Sequence, residues 1–135
     1  RPPLARAYEV EGEAALALQD AGGAVSKFHQ SLRVYKQTGD VAGMARSELG
    51  IARAELMRGR LEQSEEHLVA ASVLPLDATH RAILAEVREV LASAQAERAA
   101  EAEAAQQAEP PVEAEMDGDV PDGTDADLQD ETDVP

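Results

Sequence analysis

Residues 5–16 read ARAYEVEGEAAL and residues 45–56 read ARSELGIARAEL; further along, residues 24–31 read AVSKFHQS and residues 64–71 read SEEHLVAA. Both pairs are offset by 40 residues. In register, Ala5 falls on Ala45, Arg6 on Arg46, Gly12 on Ala52 and Leu16 on Leu56. Ala24 then falls on Ser64, Phe28 on Leu68 and Ser31 on Ala71. Small residues meet small ones, and large apolar residues meet large apolar ones. A small residue on the first helix of a hairpin lets the second cross closely, and the large ones fill the space between hairpins. A hairpin that is amphipathic on both sides cannot bury both faces alone, so stacked neighbours build a continuous core.

Outward from this repeat, Ala, Leu, Glu, Gln and Arg dominate residues 4–108, and all are good helix formers. Five helices are expected. The first runs from about Leu4 to Gln19, after Pro2 and Pro3. The second runs from about Gly23 to Gln37, its apolar residues Ala24, Val25, Phe28, Leu32 and Tyr35 spaced by threes and fours. Gly22 and Gly23 read as turn punctuation before it. Thr38-Gly39-Asp40 closes that helix, and Asp40 N-caps a third, from about Val41 to Arg58. A fourth runs from about Leu61 to Leu74, before Pro75. Asp77 caps a fifth with the stripe Ile83, Val87, Val90/Leu91 and Ala94, which thins beyond Ala96 into a fraying end. Gly12, Gly43 and Gly50 fall inside helices, where Gly costs about 1 kcal/mol against Ala, so tight helix crossings are expected there.

The pattern resembles the tetratricopeptide repeat (TPR). In the second hairpin Ala52 stands at the family's small helix-A position, Gly59 at the interhelix Gly, Ser64 at the small helix-B position and Leu68 at the large one. Ala71 takes the next small position, and Pro75 comes one residue before the usual closing Pro. Tyr8, Gly12, Ala24, Phe28 and Ser31 match in the first hairpin. Ser64 in place of Ala, and Ala15 and Glu55 at the helix-A Tyr position, depart from the family. The period exceeds the usual TPR length of roughly 34 residues. It resembles the longer-helix variety of bacterial signal-transducing ATPases, LuxR/MalT-like regulators and kinesin light chain. The resemblance implies an all-α fold: TPR-like antiparallel helical hairpins (an α-solenoid) over residues 1–76, a C-terminal capping helix over 77–108, and an acidic tail over 109–135. With no N-terminal cap evident, and Arg1-Pro2-Pro3 in place of an initiator Met, the expectation is the C-terminal portion of a larger protein.

The resemblance further implies a groove lined by the first helix of each hairpin. Its positions map to Arg6, Glu9, Glu13, Leu16 and Ala17, and to Arg46, Leu49, Arg53, Leu56 and Met57. An arginine ladder of Arg6, Arg46 and Arg53 beside Leu49, Leu56 and Met57 suits an acidic-hydrophobic peptide. The plainer reading is that these arginines are solvated or pair with Glu9, Glu13 and Glu48. Glu9 and Glu13 stand where the chaperone-binding type carries its carboxylate clamp, which disfavours that ligand. Exposed arginines contribute little to folding, so replacing Arg46 and Arg53 should leave the fold intact.

Charge and composition exclude several classes. Net charge is -15, yet residues 109–135 alone carry 11 Asp+Glu and no Lys or Arg. That stretch is read as disordered, since it cannot bury enough apolar surface to offset its chain entropy. Its acidity solubilises, binds a basic partner or covers the arginine groove in cis. The body is nearly neutral, so no direct nucleic-acid contact is expected. No run nears the roughly 18 apolar residues of a membrane span, and no membrane contact is expected. With no Cys, disulfides and thiolate sites are excluded. His29, His67 and His80 lack ligand spacing and read as exposed helix-surface residues, so no metal and no cofactor is expected. No phosphate-binding glycine loop or GxSxG is present, and the chain does not read as an enzyme. Arg outnumbers Lys 10 to 2 with abundant Ala, a balance usual in GC-rich bacteria, so a bacterial cytoplasmic protein is expected.

The expected function is protein or peptide recognition. Two alternatives stand beside it: a regulatory module of a transcription regulator or signalling ATPase, and self-association through the exposed N-terminal repeat edge. Truncation after Ala108 should leave the thermal unfolding midpoint nearly unchanged, because the tail offers no apolar packing to lose. A drop of many degrees in circular-dichroism melting would show that the tail docks.

Overall fold

The structure, a computed structural model, describes residues 4–108; the acidic tail lies outside the described residues. Five helices make up the fold, with no strand among the described residues. They are α1 (Leu4–Ala17), α2 (Ala21–Thr38), α3 (Val41–Met57), α4 (Leu61–Ser72) and α5 (Ala78–Gln107). Short connections fold α2, α3 and α4 each back on its predecessor, as expected of antiparallel neighbours. No helix among the described residues is long and apolar enough to cross a membrane. One compact unit extends to Arg98. From Ala96 onward every described side chain of α5 is exposed.

Two apolar clusters form the core, and α3 contributes to both. Leu16, Ala24, Phe28, Leu32, Ile51 and Ala54 pack together between α1, α2 and α3. Leu49, Ala52, Leu61, Leu68, Ala71, Leu84, Val87 and Leu91 pack between α3, α4 and α5. Most of the residues paired by the 40-residue offset are buried at both ends: Ala24 and Ser64, Phe28 and Leu68, Ser31 and Ala71, Ala5 and Ala45. Leu56 is half-buried against the second cluster rather than fully inside it. On α5 the buried stripe is Leu84, Val87 and Leu91, whereas Val90 is 52% exposed. The expected stripe therefore sits slightly rotated, because the helix turns its Leu84 edge towards α3 and α4.

The interior glycines are explained by one aromatic ring. Phe28 is fully buried, and it lies between Gly12 of α1 and Gly50 of α3. A Cβ on Gly12 would stand 2.9 Å from the ring, and one on Gly50 would stand 2.5 Å from it, both inside van der Waals contact. Tyr35, two turns along α2, covers Gly43 in the same way. The helices approach so closely that buried serines replace larger residues at the seams. Ser31 Oγ donates to the Phe28 carbonyl at 2.9 Å, which leaves Ser47 Oγ to donate to Ser31 Oγ at 2.6 Å. Ser64 Oγ donates to the Ala52 carbonyl at 2.8 Å. Each hydroxyl is thereby satisfied in a dry seam.

The two hairpin turns match bond for bond. The α1–α2 turn is closed by amides of Leu18, Gln19, Asp20 and Ala24, donating to the carbonyls of Ala14, Ala15, Leu16 and Asp20. The α3–α4 turn is closed by Arg58, Gly59, Arg60 and Ser64, donating to Ala54, Glu55, Leu56 and Arg60, all 40 residues on. Gln19 (φ 62°) occupies the left-handed position that Gly59 (φ 76°) holds in the second turn. Gly22 and Gly23 prove not to be turn punctuation. They lie in the first turn of α2, because Asp20 N-caps that helix through Gly23 N–H at 2.9 Å. Asp40 and Asp77 cap α3 and α5 as expected. Arg60 holds the cap position of α4 with backbone angles close to those of Asp20, but makes no side-chain cap bond.

Exchanging turn chemistry between hairpins should therefore stabilise the protein. Gln19→Gly removes a left-handed non-glycine residue and Arg60→Asp supplies a missing cap, each worth about 1 kcal/mol. Gly50→Ala should do the opposite, by about 1–3 kcal/mol despite the better helix former, because its methyl meets the Phe28 ring. Urea denaturation of the three variants checks the signs.

Candidate functional site

Of the residues singled out on α1 and α3, the charged ones come together and are already paired with each other. Glu9 is only 3% exposed. Arg46 Nε donates to its Oε2 at 2.8 Å and Arg46 Nη2 to its Oε1 at 3.2 Å. Tyr35 Oη donates to Glu9 Oε1 at 2.7 Å and accepts from Arg46 Nη2 at 3.3 Å. Arg6 Nη1 completes the set, 3.1 Å from Glu9 Oε2. The guanidinium fork matches the carboxylate with two parallel bonds, the geometry that makes such pairs strong. Further along, Arg53 Nη1 donates to both oxygens of Glu13, at 3.0 and 3.2 Å. The two arginine–glutamate pairs tie α1 to α3.

The electrostatics follow from this geometry. Burial pushes the Glu9 carboxyl up, but hydrogen bonds from Arg46 and Tyr35 outweigh it and hold it below the usual carboxylate range. Burial and the bond to Glu9 push the Tyr35 phenol up. The bond to Glu9 holds Arg46 more firmly protonated. Glu9 is thus a buried anion compensated by Arg46 and Arg6. That stabilisation is present above the ordinary Glu range and is lost as pH falls through the depressed value.

The structure corrects several expectations here. Leu49 does not line a groove: it is 1% exposed, packed with Leu68 and Leu84, because its side of α3 faces α4 and α5. Glu9 is not an open groove position, since it is buried beneath Arg46 and Tyr35. Arg46 is not an exposed ladder rung but a half-buried partner of Glu9, so its removal is expected to disturb the fold. Of the positions mapped to the groove, Arg6, Glu13, Ala17 and Met57 remain exposed, and Arg53 is half-buried. Beside them a cavity of about 460 Å³ opens between Leu4, Ala5, Arg6, Val34, Tyr35 and Arg46.

His29 is exposed, as expected, whereas His67 and His80 are half-buried. His29 of α2 and His67 of α4 meet edge to face, with ring centroids 5.6 Å apart. His67 is half-buried, and its Nδ1 lies 2.7 Å from Glu48 Oε1. The bond to Glu48 raises the His67 pKa, while burial and the neighbouring His67 charge lower that of His29. His80 donates its backbone amide to Asp77, and its ring Nδ1 lies 2.8 Å from the same oxygen. Among the described residues no group of three or more His, Asp or Glu is arranged to hold a metal ion. The histidine pair is separated by 38 residues, so no sequence spacing announced it.

Comparison with known proteins adds no relative: the chain matches no protein-family model, no curated protein and no solved structure.

The two arginines should separate in mutagenesis. Arg46→Ala strands a buried carboxylate and should cost about 3 kcal/mol. Arg53→Ala breaks a rim pair and should cost less than about 1 kcal/mol. Equal losses in urea denaturation would place both pairs at the surface.

Proposed function

We propose that this chain is a helical-repeat recognition module of the tetratricopeptide type that binds a protein or peptide partner on the face shared by α1 and α3. The observation that carries the reading is the matched pair of hairpin turns, with the same amides and carbonyls bonded 40 residues apart and the small and large positions buried in register. Hairpins built alike and packed side by side present their first helices on one face, and extended faces of this kind are binding surfaces.

The arginine ladder takes a narrower form than a free row of cations. Arg46 is committed to Glu9 and holds α1 against α3, as a positioning residue. Contact with a partner falls to Met57, 42% exposed, to the Arg53–Glu13 pair and to Arg6 at the mouth of the cavity. A partner segment with an apolar side chain for Met57 and an acidic group competing for Arg53 or Arg6 fits this face.

Selection of a random peptide library on the full-length chain, followed by titration of the enriched peptides, tests the proposal. A variant combining Arg53→Ala with Met57→Glu should keep its helical circular dichroism and lose at least tenfold in affinity, the value of one charge-assisted contact. Peptides that bind the variant as well as the parent chain would move the interface off this face.

A further inference from the structure

The second helices of the two hairpins, α2 and α4, belong to different apolar clusters. α2 packs with α1 and α3 around Phe28, and α4 packs with α3 and α5 around Leu68. The rings of His29 and His67 join α2 to α4 directly, edge to face, with centroids 5.6 Å apart. From α3, Glu48 reaches the pair: its Oε1 lies 2.7 Å from His67 Nδ1, and both side chains are half-buried. His29 is exposed beside a cavity of about 220 Å³ that Leu32, Arg33 and Lys36 also line, so solvent protons reach its ring.

The charges around the pair suit one proton and not two. Glu48 bonds His67. Glu55, the other α3 carboxylate that both rings sense, is buried and paired with Arg58. Glu66 neighbours His67 on α4, whereas Arg33 and Lys36 are positive neighbours of His29 on α2. The first proton therefore settles on His67 against Glu48, and a second must settle on His29 among like charges. Edge-to-face geometry sets the positive rim of one ring against the electron-rich face of the other. One charged ring keeps that contact. Two charged rings at this separation repel, and they stand closer than the Debye length of roughly 8–10 Å, so salt screens them poorly.

We propose that His29, His67 and Glu48 form a pH-sensitive latch, which holds α2 to α4 across α3 while the pair carries one charge and loosens when both rings are charged. The two rings act on stability with opposite sign. The bond to Glu48 holds His67 above the ordinary histidine range, so its contribution is complete below that range and is lost as pH rises through the raised value. Burial and the His67 charge hold His29 below the ordinary range, so stability is lost as pH falls from the ordinary value through the lowered one. Together they place the latch's best-held state near the ordinary histidine value of about pH 6.5.

Histidine-ring NMR on the full-length chain across about pH 5–8 reads each protonation, and urea denaturation over the same range reads stability. In His67→Gln the His29 midpoint should rise by about half a pH unit or more at low salt, since two charges this close exert that much even in a water-like dielectric. In Glu48→Gln the His67 midpoint should fall. His29→Gln should lose the loss of stability that the parent chain shows between about pH 6.5 and 5, and His67→Gln the one between about pH 6.5 and 8. A His29 midpoint that stays in place in His67→Gln overturns the latch, because the rings then titrate independently. So does a His29→Gln chain whose stability falls in acid as steeply as the parent's.

Discussion

The Phe28 ring, held between Gly12 and Gly50, is the contact on which the packing of the first three helices turns. It is the only phenylalanine in the chain, and it is fully buried. Because two helices surrender their side chains at the contact, α1 and α3 can both close on α2. Each glycine costs about 1 kcal/mol of helix propensity, which the buried ring offsets. The same close approach leaves room only for Ala and Ser elsewhere along the seams, which accounts for the buried serines and their mutual hydrogen bonds.

Closeness in the core fixes the charged layer above it. With α1 and α3 drawn together, Glu9 is carried out of solvent and requires Arg46, Arg6 and the Tyr35 hydroxyl. A carboxylate in that position without its guanidinium would be costly, so Arg46 belongs to the fold first. What stays at the surface is the rim: Met57, the Arg53–Glu13 pair and the cavity beside Arg6.

On the other side of α2 and α4, the His29–His67 contact and Glu48 join three helices at one place. Glu55 is nearby, 6% exposed, with Arg58 Nη1 3.4 Å from its Oε1. Polar side chains thus line both flanks of α3 while its two remaining sides feed the two apolar clusters. That division explains why α3 carries the longest list of buried residues of any helix.

The sequence by itself determined the five helices, their caps at Asp40 and Asp77, and the positions of the buried small and large residues. These follow from local periodicity and capping chemistry, which act over one or two turns. It also placed Arg46 and Glu9 on the same side of the molecule. Whether they faced a ligand or each other depended on how near α1 comes to α3, a distance set by Phe28, far from either residue in sequence, seated against Gly12 and Gly50. The burial of Leu49, the rotation of α5 towards Leu84 and the meeting of His29 with His67 are of the same kind. Each depends on which sides of two helices touch, and helical spacing alone leaves that rotation free by one residue. Around Asp20 the sequence is ambiguous: Gly22 and Gly23 carry a turn signature, yet the Asp20 side chain accepts from Gly23 N–H and starts α2 locally. Only the assembled packing decided which charges were spent inside the fold and which stayed at its surface, because that depends on which helix sides meet.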